Sequence, residues 1–182
     1  KGVKIWSGNT SKKFLTSRGL NYDVGDMGPM YGYQWRYYGL DYDNHKLMQH
    51  EKSKYVDQLK NVIDLIQHDP MSRRILLTTY NPLDTPKSVL DPCHGLITQF
   101  YVSKIDDKYV LNCQTYQRSA DMFLGIPFNI ASYALLMHIL CTLCRPFNNK
   151  LHPGILTINI GDAHIYTSHI NSIKTQINRK PL

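Results

Sequence analysis

The sequence of 182 residues has few cysteines, only Cys93, Cys113, Cys141 and Cys144, and we expect no secretory signal. Disulfide frameworks belong to small secreted proteins, so this composition excludes one and indicates thiols in a reducing compartment, for which we expect a cytoplasmic location. Cys141 and Cys144 form a C-x-x-C pair inside an apolar run without a second pair, which favours packing in a core over zinc or redox chemistry. No metal site is expected.

Long runs of one charge are also missing. The chain has 21 Lys and Arg against 14 Asp and Glu, a formal charge of +7, which suits nucleic acid, an acidic membrane surface or a small phosphorylated ligand. The basic residues are scattered, apart from the pair Arg73-Arg74 and short clusters near both ends, and none forms the run of about five or six that marks a nucleic-acid tail. Binding of RNA therefore rests on net charge alone.

No uninterrupted apolar segment reaches the ~20 residues that cross a membrane. The longest candidate, PFNIASYALLMHILCTLC from Pro127, is interrupted by Asn129, Ser132, His138 and Thr142. It is apolar on most sides, as in a helix at the centre of a domain, and proline suits its first turn. We expect a buried helix and no membrane span.

The remaining pattern predicts one domain of the α+β class, in which a β-sheet packs against that long buried helix. Apolar residues recur at steps of three and four from Tyr55 to His68, which indicates an amphipathic helix closed by Asp69-Pro70. A last helix is expected from about His164 to Ile177. Short segments rich in β-branched and aromatic residues predict strands, the second and third forming a hairpin, at 75–80, 96–102, 109–116 and 155–160.

Several polar residues interrupt these patterns. Gln117, Arg118, Ser119 and Asp121 crowd the end of a strand in CQTYQRSADM, and such inconsistency is expected where a site is built. Arginine and serine are suited to bind a phosphate, although a solvated sheet edge would explain the same residues. The Arg73-Arg74 pair could join an anion site, but neighbours on one strand point to opposite faces.

Three further features are candidates for binding or chemistry. Cys93, between a proline and a histidine in LDPCHG, is by itself more often a packing residue than a nucleophile. Asn129 begins an otherwise apolar helix, and its unpartnered burial would cost ~1–3 kcal/mol, so it caps the helix or meets a ligand. GDAHIY ends a strand with His164 and Tyr166, which could bind a sugar hydroxyl or simply reflect loop polarity.

Together, DPCHG, CQTYQRSADMFLGIPFNIASYALL and INIGDAHIYTSHI resemble the thymidylate synthase family, and KGVKIW, GDMGPMYGYQWR, VDQL and DPMSRRILLTTYNP continue the resemblance in order over nearly the whole chain. The resemblance implies a mixed β-sheet and reductive methylation of dUMP to dTMP. The co-substrate would be 5,10-methylenetetrahydrofolate, with dihydrofolate as co-product. It also implies a homodimer with shared active sites.

The resemblance assigns a role to each candidate. Cys93 is the expected nucleophile at C6 of the uracil ring, Arg118 is expected to stabilise its thiolate, and Asn129 is expected to read N3–H and O4 of the base. The 5′-phosphate would be bound by Arg118 and Ser119 with Arg73 and Arg74 of the partner subunit. The ribose would be bound by His164 and Tyr166, and the site would be organised by His94 and Gln117. Asp121 would bond the pterin, and the folate pocket would be lined by Ile5, Trp6, Asn9, Leu90, Leu124, Gly125 and Phe128.

The chain also departs from the family pattern. The family's N-terminal arginine loop, a glutamate and the C-terminal tail have no counterpart, so we expect residues 1–182 to be a partial catalytic domain that turns over little when isolated. One extra residue between His94 and Gln99 predicts a β-bulge. An active-site tyrosine of the family has no clear match, and Tyr55 is a candidate. A pyrimidine nucleotide hydroxymethylase of the same fold and an inactive or RNA-binding relative stay as alternatives.

Overall fold

Five α-helices and four β-strands form the described part of this computed structural model, which comprises residues 4–42, 54–144 and 151–180. The helices are α1 (Lys12–Ser17), α2 (Gly32–Tyr37), α3 (Gln58–His68), α4 (Gly125–Cys144) and α5 (Ile170–Ile177). The strands are β1 (Leu76–Leu77), β2 (Thr98–Ile105), β3 (Lys108–Asp121) and β4 (Leu151–His164). Most of the expected elements are present, with shifted bounds.

The strands form one mixed sheet in the order β1-β2-β3-β4. Antiparallel pairs join β1 to β2 and β2 to β3, and the second pair is the expected hairpin, turning at Asp106 with a positive φ of 52°. β3 and β4 are parallel, and the chain between them contains α4, as a parallel crossover requires. The α+β class and the mixed sheet are therefore confirmed.

The main core lies between one face of the sheet and the helices α3 and α4. Alternate residues of β2 and β3 are buried, because successive strand residues point to opposite faces. The amphipathic helix predicted before residue 69 is confirmed as α3, whose first turn is capped by Asp57 accepting a hydrogen bond from the Lys60 amide. Members of this core include Val62, Ile66, Phe100, Val102, Leu111, Cys113, Tyr133, Met137, Leu140, Cys141 and Cys144.

The expectation of an α4 buried on most sides is wrong for the described residues. The helix begins at Gly125, two residues before Pro127, and only one of its faces packs into the core. Leu135 is 60% exposed, and Ile139 and Leu143 are also exposed, because no described segment covers this face. By length and composition α4 could cross a membrane, but the core helix of a globular protein passes the same test. One face of α4 packs into the main core, and the absence of a membrane span stays a prediction.

Strand pairing explains the shifted bounds. β1 has two residues where six were expected, because the next two amides donate their hydrogen bonds outside the strand ladder. The Thr78 amide donates to Gln58 Oε1 at 2.8 Å and the Thr79 amide donates to the Gly95 carbonyl at 3.0 Å. β4 continues to His164 because it pairs with β3 as far as Asp121. The last helix therefore begins at Ile170 instead of His164.

The extra residue after His94 is accommodated as expected. Tyr116 accepts a hydrogen bond from the Leu96 amide at 3.2 Å and donates one to the Ile97 carbonyl at 2.9 Å. Two residues thus lie opposite one, which is the arrangement of a β-bulge. Gly95 precedes the bulge with a φ of +67°, a conformation that glycine adopts readily.

Within the described residues, which include all four cysteines, no disulfide forms. Cys113, Cys141 and Cys144 are buried in the main core, which confirms the packing interpretation of the C-x-x-C pair. Burial raises the pKa of the Cys113 thiol to about 12 and that of Cys144 to about 11, so both stay protonated near neutral pH. Cys93 alone is partly exposed.

Candidate active site

Cys93 lies in the turn that precedes β2, at the end of the sheet where β3 also ends. Its Sγ lies 3.6 Å from the Asp91 carbonyl oxygen and 3.8 Å from Nη2 of Arg118. The Cys93 amide donates to the hydroxyl oxygen of Tyr31 at 3.1 Å. A partly exposed thiol beside a guanidinium is an environment in which reactive cysteines are found.

Arg118 holds the whole turn around Cys93. Its Nε donates to the Pro92 carbonyl at 2.8 Å and its Nη2 donates to the Asp91 carbonyl at 3.0 Å. Its own amide donates to the Cys93 carbonyl at 2.9 Å. The planar fork thus spans two carbonyl groups and the sulfur at once, which a lysine could not do. The contact expected between Cys93 and Arg118 is present.

Behind the cysteine, His94 is fixed by two tyrosines. Its Nδ1 lies 2.9 Å from the Tyr133 hydroxyl, and its ring stacks on Tyr31 with centroids 4.4 Å apart. The Thr79 hydroxyl donates to the His94 carbonyl at 2.8 Å. Burial lowers the pKa of His94 to about 4 and raises that of Tyr133 to about 12, so both are neutral near neutral pH.

Gln117 and Asn129 form a second polar pair that joins β3 to α4. Buried Gln117 donates from Nε2 to Asn129 Oδ1 at 3.0 Å and to the Ser119 carbonyl at 3.1 Å. Asn129 is only partly buried. The pair fixes which end of the Asn129 amide donates, which is what reading a base requires.

Asp121 lies where β3 passes into α4. Its Oδ1 accepts from the Phe123 amide at 3.0 Å and the Leu124 amide at 3.2 Å, and it is 3.8 Å from Nδ1 of His169. In the parallel register Asp121 lies opposite His164, which in turn contacts Asp162 Oδ1 at 2.8 Å. The structure therefore brings Asp121 and His164 to the same sheet end as Arg118.

The Tyr166 ring adjoins this group. Its centroid lies 5.2 Å from that of His164 and 5.7 Å from that of His169, both in edge-to-face geometry. Nδ1 of His169 is buried and makes no hydrogen bond within the described part of the chain. His164 and Tyr166 are thus neighbours, as a ribose subsite requires.

Some of the predicted folate residues gather at one cavity. A volume of about 430 Å³ lies between the start of α4 and α5, and its lining includes Leu124 and Phe128. Gly125 lies between them in the sequence, and a Cβ added to it would make only ordinary van der Waals contacts. Leu90 instead packs against a smaller core cluster around Leu15 and Val89.

Other predicted residues lie apart from Cys93. Arg73 and Arg74 are exposed and precede β1, and β2 separates them from Arg118 on β3. The segment with Ile5, Trp6 and Asn9 forms an exposed turn before α1. Within the described residues no hydrogen bond or ion pair joins any of these five to the Cys93 turn.

The structure also places residues that the sequence patterns missed. Tyr31, and not Tyr55, is the tyrosine at Cys93; Tyr55 packs on Tyr37, with ring centroids 5.2 Å apart. Tyr31 has a φ of +41°, which is unusual for a residue with a side chain. Its position inside GDMGPMYGYQWR was the available signal. Tyr133 was not predicted because it lies in a helix whose other residues indicated only packing.

An α+β fold with a partly exposed cysteine, an arginine and an amide pair at one sheet end is the arrangement expected of the class of enzymes that use a cysteine nucleophile. The sequence comparisons agree, since the profile described as thymidylate synthase matches residues 1–182. The chain belongs to the thymidylate synthase family.

Curated relatives match the chain over its whole length. It is 47% identical to thymidylate synthase of Homo sapiens, of which it covers 54%, and 46% identical to that of Agaricus bisporus, of which it covers 60%. It is also 46% identical to the bifunctional dihydrofolate reductase-thymidylate synthase of Zea mays, of which it covers 33%. The chain therefore spans between a third and three-fifths of these relatives' length.

Proposed function

We propose that the full-length protein containing this chain methylates dUMP to dTMP with 5,10-methylenetetrahydrofolate. The observation that carries the proposal is the contact between Cys93 and Arg118 in a chain of this family. The thiolate adds to C6 of the uracil ring, so an S–C6 bond forms while the C5–C6 π pair becomes available at C5. The folate supplies the one-carbon unit and the hydride that complete the methyl group.

Each part of the nucleotide has a candidate partner among the described residues. Arg118 keeps guanidinium N–H groups beyond those bound to carbonyls, which suits a phosphate. Ser119 follows it on β3, where successive side chains point to opposite faces, and stays a prediction for the same phosphate. Asn129, oriented by Gln117, offers one donor and one acceptor to the base edge. His164 and Tyr166 offer polar atoms to the ribose.

The described residues also fit a folate. The cavity beside Leu124 and Phe128 offers an aromatic and an aliphatic side chain that are both partly exposed, as a flat ring system requires. Asp121 adjoins it, since its Oδ1 accepts from the amide of Leu124, which lines the cavity. Leu124, Phe128 and Asp121 would hold the folate beside Cys93. Leu90, Ile5, Trp6 and Asn9 stay predictions for this pocket.

The test uses the full-length protein, 5-fluoro-dUMP and methylenetetrahydrofolate. Because fluorine cannot leave C5 as a proton does, we expect a covalent ternary adduct, detected by mass spectrometry of the intact protein and mapped to Cys93. Cys93→Ser should give none, and the control Cys113→Ala, which removes a thiol outside the site, should still give it. Absence of the adduct from the unmodified protein would contradict the proposal and favour the inactive or RNA-binding alternative.

Product mass separates the remaining enzyme alternative. A methyltransferase yields dTMP, whereas a hydroxymethylase of the same fold would yield a product heavier by one oxygen. Asn129 favours uracil, since cytosine presents the reversed donor and acceptor pattern. A hydroxymethylated product would overturn the methyltransferase assignment while leaving the Cys93 chemistry intact.

We further propose a cytoplasmic homodimer in which Arg73 and Arg74 complete the phosphate site of the other subunit. The outer face of the sheet supports it, since Gln99, Tyr101 and Tyr116 are exposed on adjacent strands. The distance of both arginines from Arg118 across β2 also supports a role in another copy's site.

Mixing two inactive variants tests the shared site. Cys93→Ser lacks the nucleophile, and the double variant Arg73→Ala with Arg74→Ala lacks the donated cations. After subunit exchange, one site of each mixed dimer combines an intact Cys93 with intact arginines from its partner, so about a quarter of normal activity should return. No recovery, with exchange confirmed by mass, would contradict the shared site.

A further inference from the structure

A second cavity, separate from the one beside α5, lies along α2. Its volume is about 460 Å³, within the range of small-molecule sites. Its lining is dominated by tyrosine rings and methionine thioethers from Met27, Met30, Tyr31, Tyr33, Tyr37 and Tyr42. We call it the tyrosine cavity. Of these residues, Tyr31 also forms a hydrogen bond with the Cys93 amide.

Three of the four tyrosine hydroxyl groups are bound to protein atoms. Tyr33 donates to the Leu40 carbonyl at 2.9 Å, and Tyr42 donates to Asp26 Oδ1 at 2.5 Å. The Tyr31 hydroxyl accepts from the Cys93 amide. What remains for an occupant of the cavity is therefore ring carbon and thioether sulfur, with few free hydrogen-bonding groups.

The rings stand at different angles to each other. Tyr33 and Tyr42 meet edge to face, with centroids 5.1 Å apart at 75°, and Tyr33 and Tyr37 are 5.6 Å apart at 38°. These rings pack on one another at an inclination, and each of them also lines the cavity. Aromatic faces carry negative potential, and a cage of them attracts an alkylated ammonium group.

A carboxylate adjoins the tyrosine cavity. Asp26 Oδ1 accepts from Tyr42 and from the amide of Gly28, which also lines the cavity, at 2.8 Å. Within residues 4–42, 54–144 and 151–180, no lysine, arginine or histidine lies within ion-pair distance of Asp26, whereas Asp41 and Asp84 share Lys87 at 3.4 Å each. Asp26 thus supplies a negative charge that an organic cation could balance.

We propose that the tyrosine cavity binds a small organic cation with a quaternary ammonium group. The proposal goes beyond the proposed methyl transfer, since neither dUMP nor a folate carries such a group. Carboxylate, aromatic faces and thioethers are the combination that distinguishes a methylated cation from a neutral molecule of the same shape.

The test compares two probes of nearly equal shape on the full-length protein by ligand-observed NMR titration. Choline carries a trimethylammonium group, and 3,3-dimethylbutan-1-ol carries a tert-butyl group in its place. Choline should bind about tenfold more tightly, because only its charge interacts with the ring faces and Asp26. Asp26→Asn, which keeps an acceptor for Tyr42, should remove most of this preference.

Tyr37→Leu should weaken the binding of choline. The control Tyr80→Leu changes an exposed tyrosine outside the cavity and should leave choline binding unchanged. Equal binding of the two probes would show a merely apolar cavity and overturn the proposal. So would the absence of choline binding, or a choline preference that both Asp26→Asn and Tyr37→Leu leave unchanged. The probe comparison needs no variant, so it decides even if a variant fails to fold.

Discussion

Replacing Gly95 with alanine should destabilise the protein through one atom of Tyr133. Gly95 has a φ of +67°, and a Cβ added there would lie 2.2 Å from the Tyr133 hydroxyl oxygen. The left-handed backbone costs alanine ~1–2 kcal/mol. Overlap with a buried, hydrogen-bonded hydroxyl adds ~1–3 kcal/mol, as in other overpacked cores. The free energy of unfolding should therefore fall by ~2–5 kcal/mol.

Two further variants separate these contributions. Gly19 has nearly the same φ, +70°, with nothing within 4 Å of an added Cβ, so Gly19→Ala measures the backbone cost alone. In Tyr133→Phe the oxygen is gone, and the nearest neighbours of the new Cβ are Thr79 Cγ2 at 3.3 Å and the ring carbon at 3.4 Å. Gly95→Ala should then cost little more than Gly19→Ala.

Urea unfolding measures the coupling between residues 95 and 133 in a double-mutant cycle. The cycle compares the unmodified protein, Gly95→Ala, Tyr133→Phe and the double variant, with Gly19→Ala as a control. We expect a coupling energy of ~1–3 kcal/mol, typical of residues in direct contact. Equal costs of Gly95→Ala with and without the Tyr133 hydroxyl would refute the argument. The single variant Tyr133→Phe also removes the oxygen bonded to Nδ1 of His94, so its own cost includes that contact.

Three other changes test the site. Burial lowers the pKa of His94 from 6.5 to about 4, so between pH 6.5 and pH 4 the unfolded chain binds a proton that the folded chain does not. Urea unfolding should therefore show that the free energy of unfolding falls by ~3 kcal/mol from pH 7 to pH 4. This loss should be absent in His94→Asn. Arg118→Lys should slow alkylation of Cys93 by iodoacetamide about tenfold, since a lysine cannot keep the N–H···S contact together with both carbonyls; an unchanged rate contradicts this role. Asn129→Asp should weaken dUMP binding about 10- to 100-fold in calorimetry, because a carboxylate cannot donate a hydrogen bond to O4 of the base. Gln117 can still donate to the carboxylate of residue 129, so that contact is kept. Undiminished affinity would exclude Asn129 from base recognition.

Local patterns predicted those parts of the fold that local interactions determine. The periodicity of residues 55–68 gave α3 within three residues, and Asp106-Asp107 marked the hairpin between β2 and β3. The patterns failed where hydrogen bonds to a distant partner determine the end of a strand. The end of β1 and the end of β4 depend on partners elsewhere in the chain, Gln58 and Gly95 for the first and β3 for the second.

The candidate site divides in the same way. Gln117, Arg118 and Asp121 were predictable because polar residues at the end of a strand break the apolar pattern. Tyr31 and Tyr133 were not, because an aromatic residue in an apolar context predicts packing, and their hydroxyl contacts span 62 and 39 residues of sequence. A separation of that size leaves no periodic signal, so only the resemblance of whole segments or the structure itself could place them.

The position of Cys93, the proposed nucleophile, is fixed by groups other than its own sulfur. Arg118 binds the carbonyls of Asp91, Pro92 and Cys93, and Tyr31 binds the Cys93 amide. All four of these hydrogen bonds involve main-chain atoms of the turn, and they persist whatever side chain residue 93 carries. Cys93→Ser therefore removes the reactive thiol from an otherwise intact turn, and a missing adduct in that variant reports on chemistry alone.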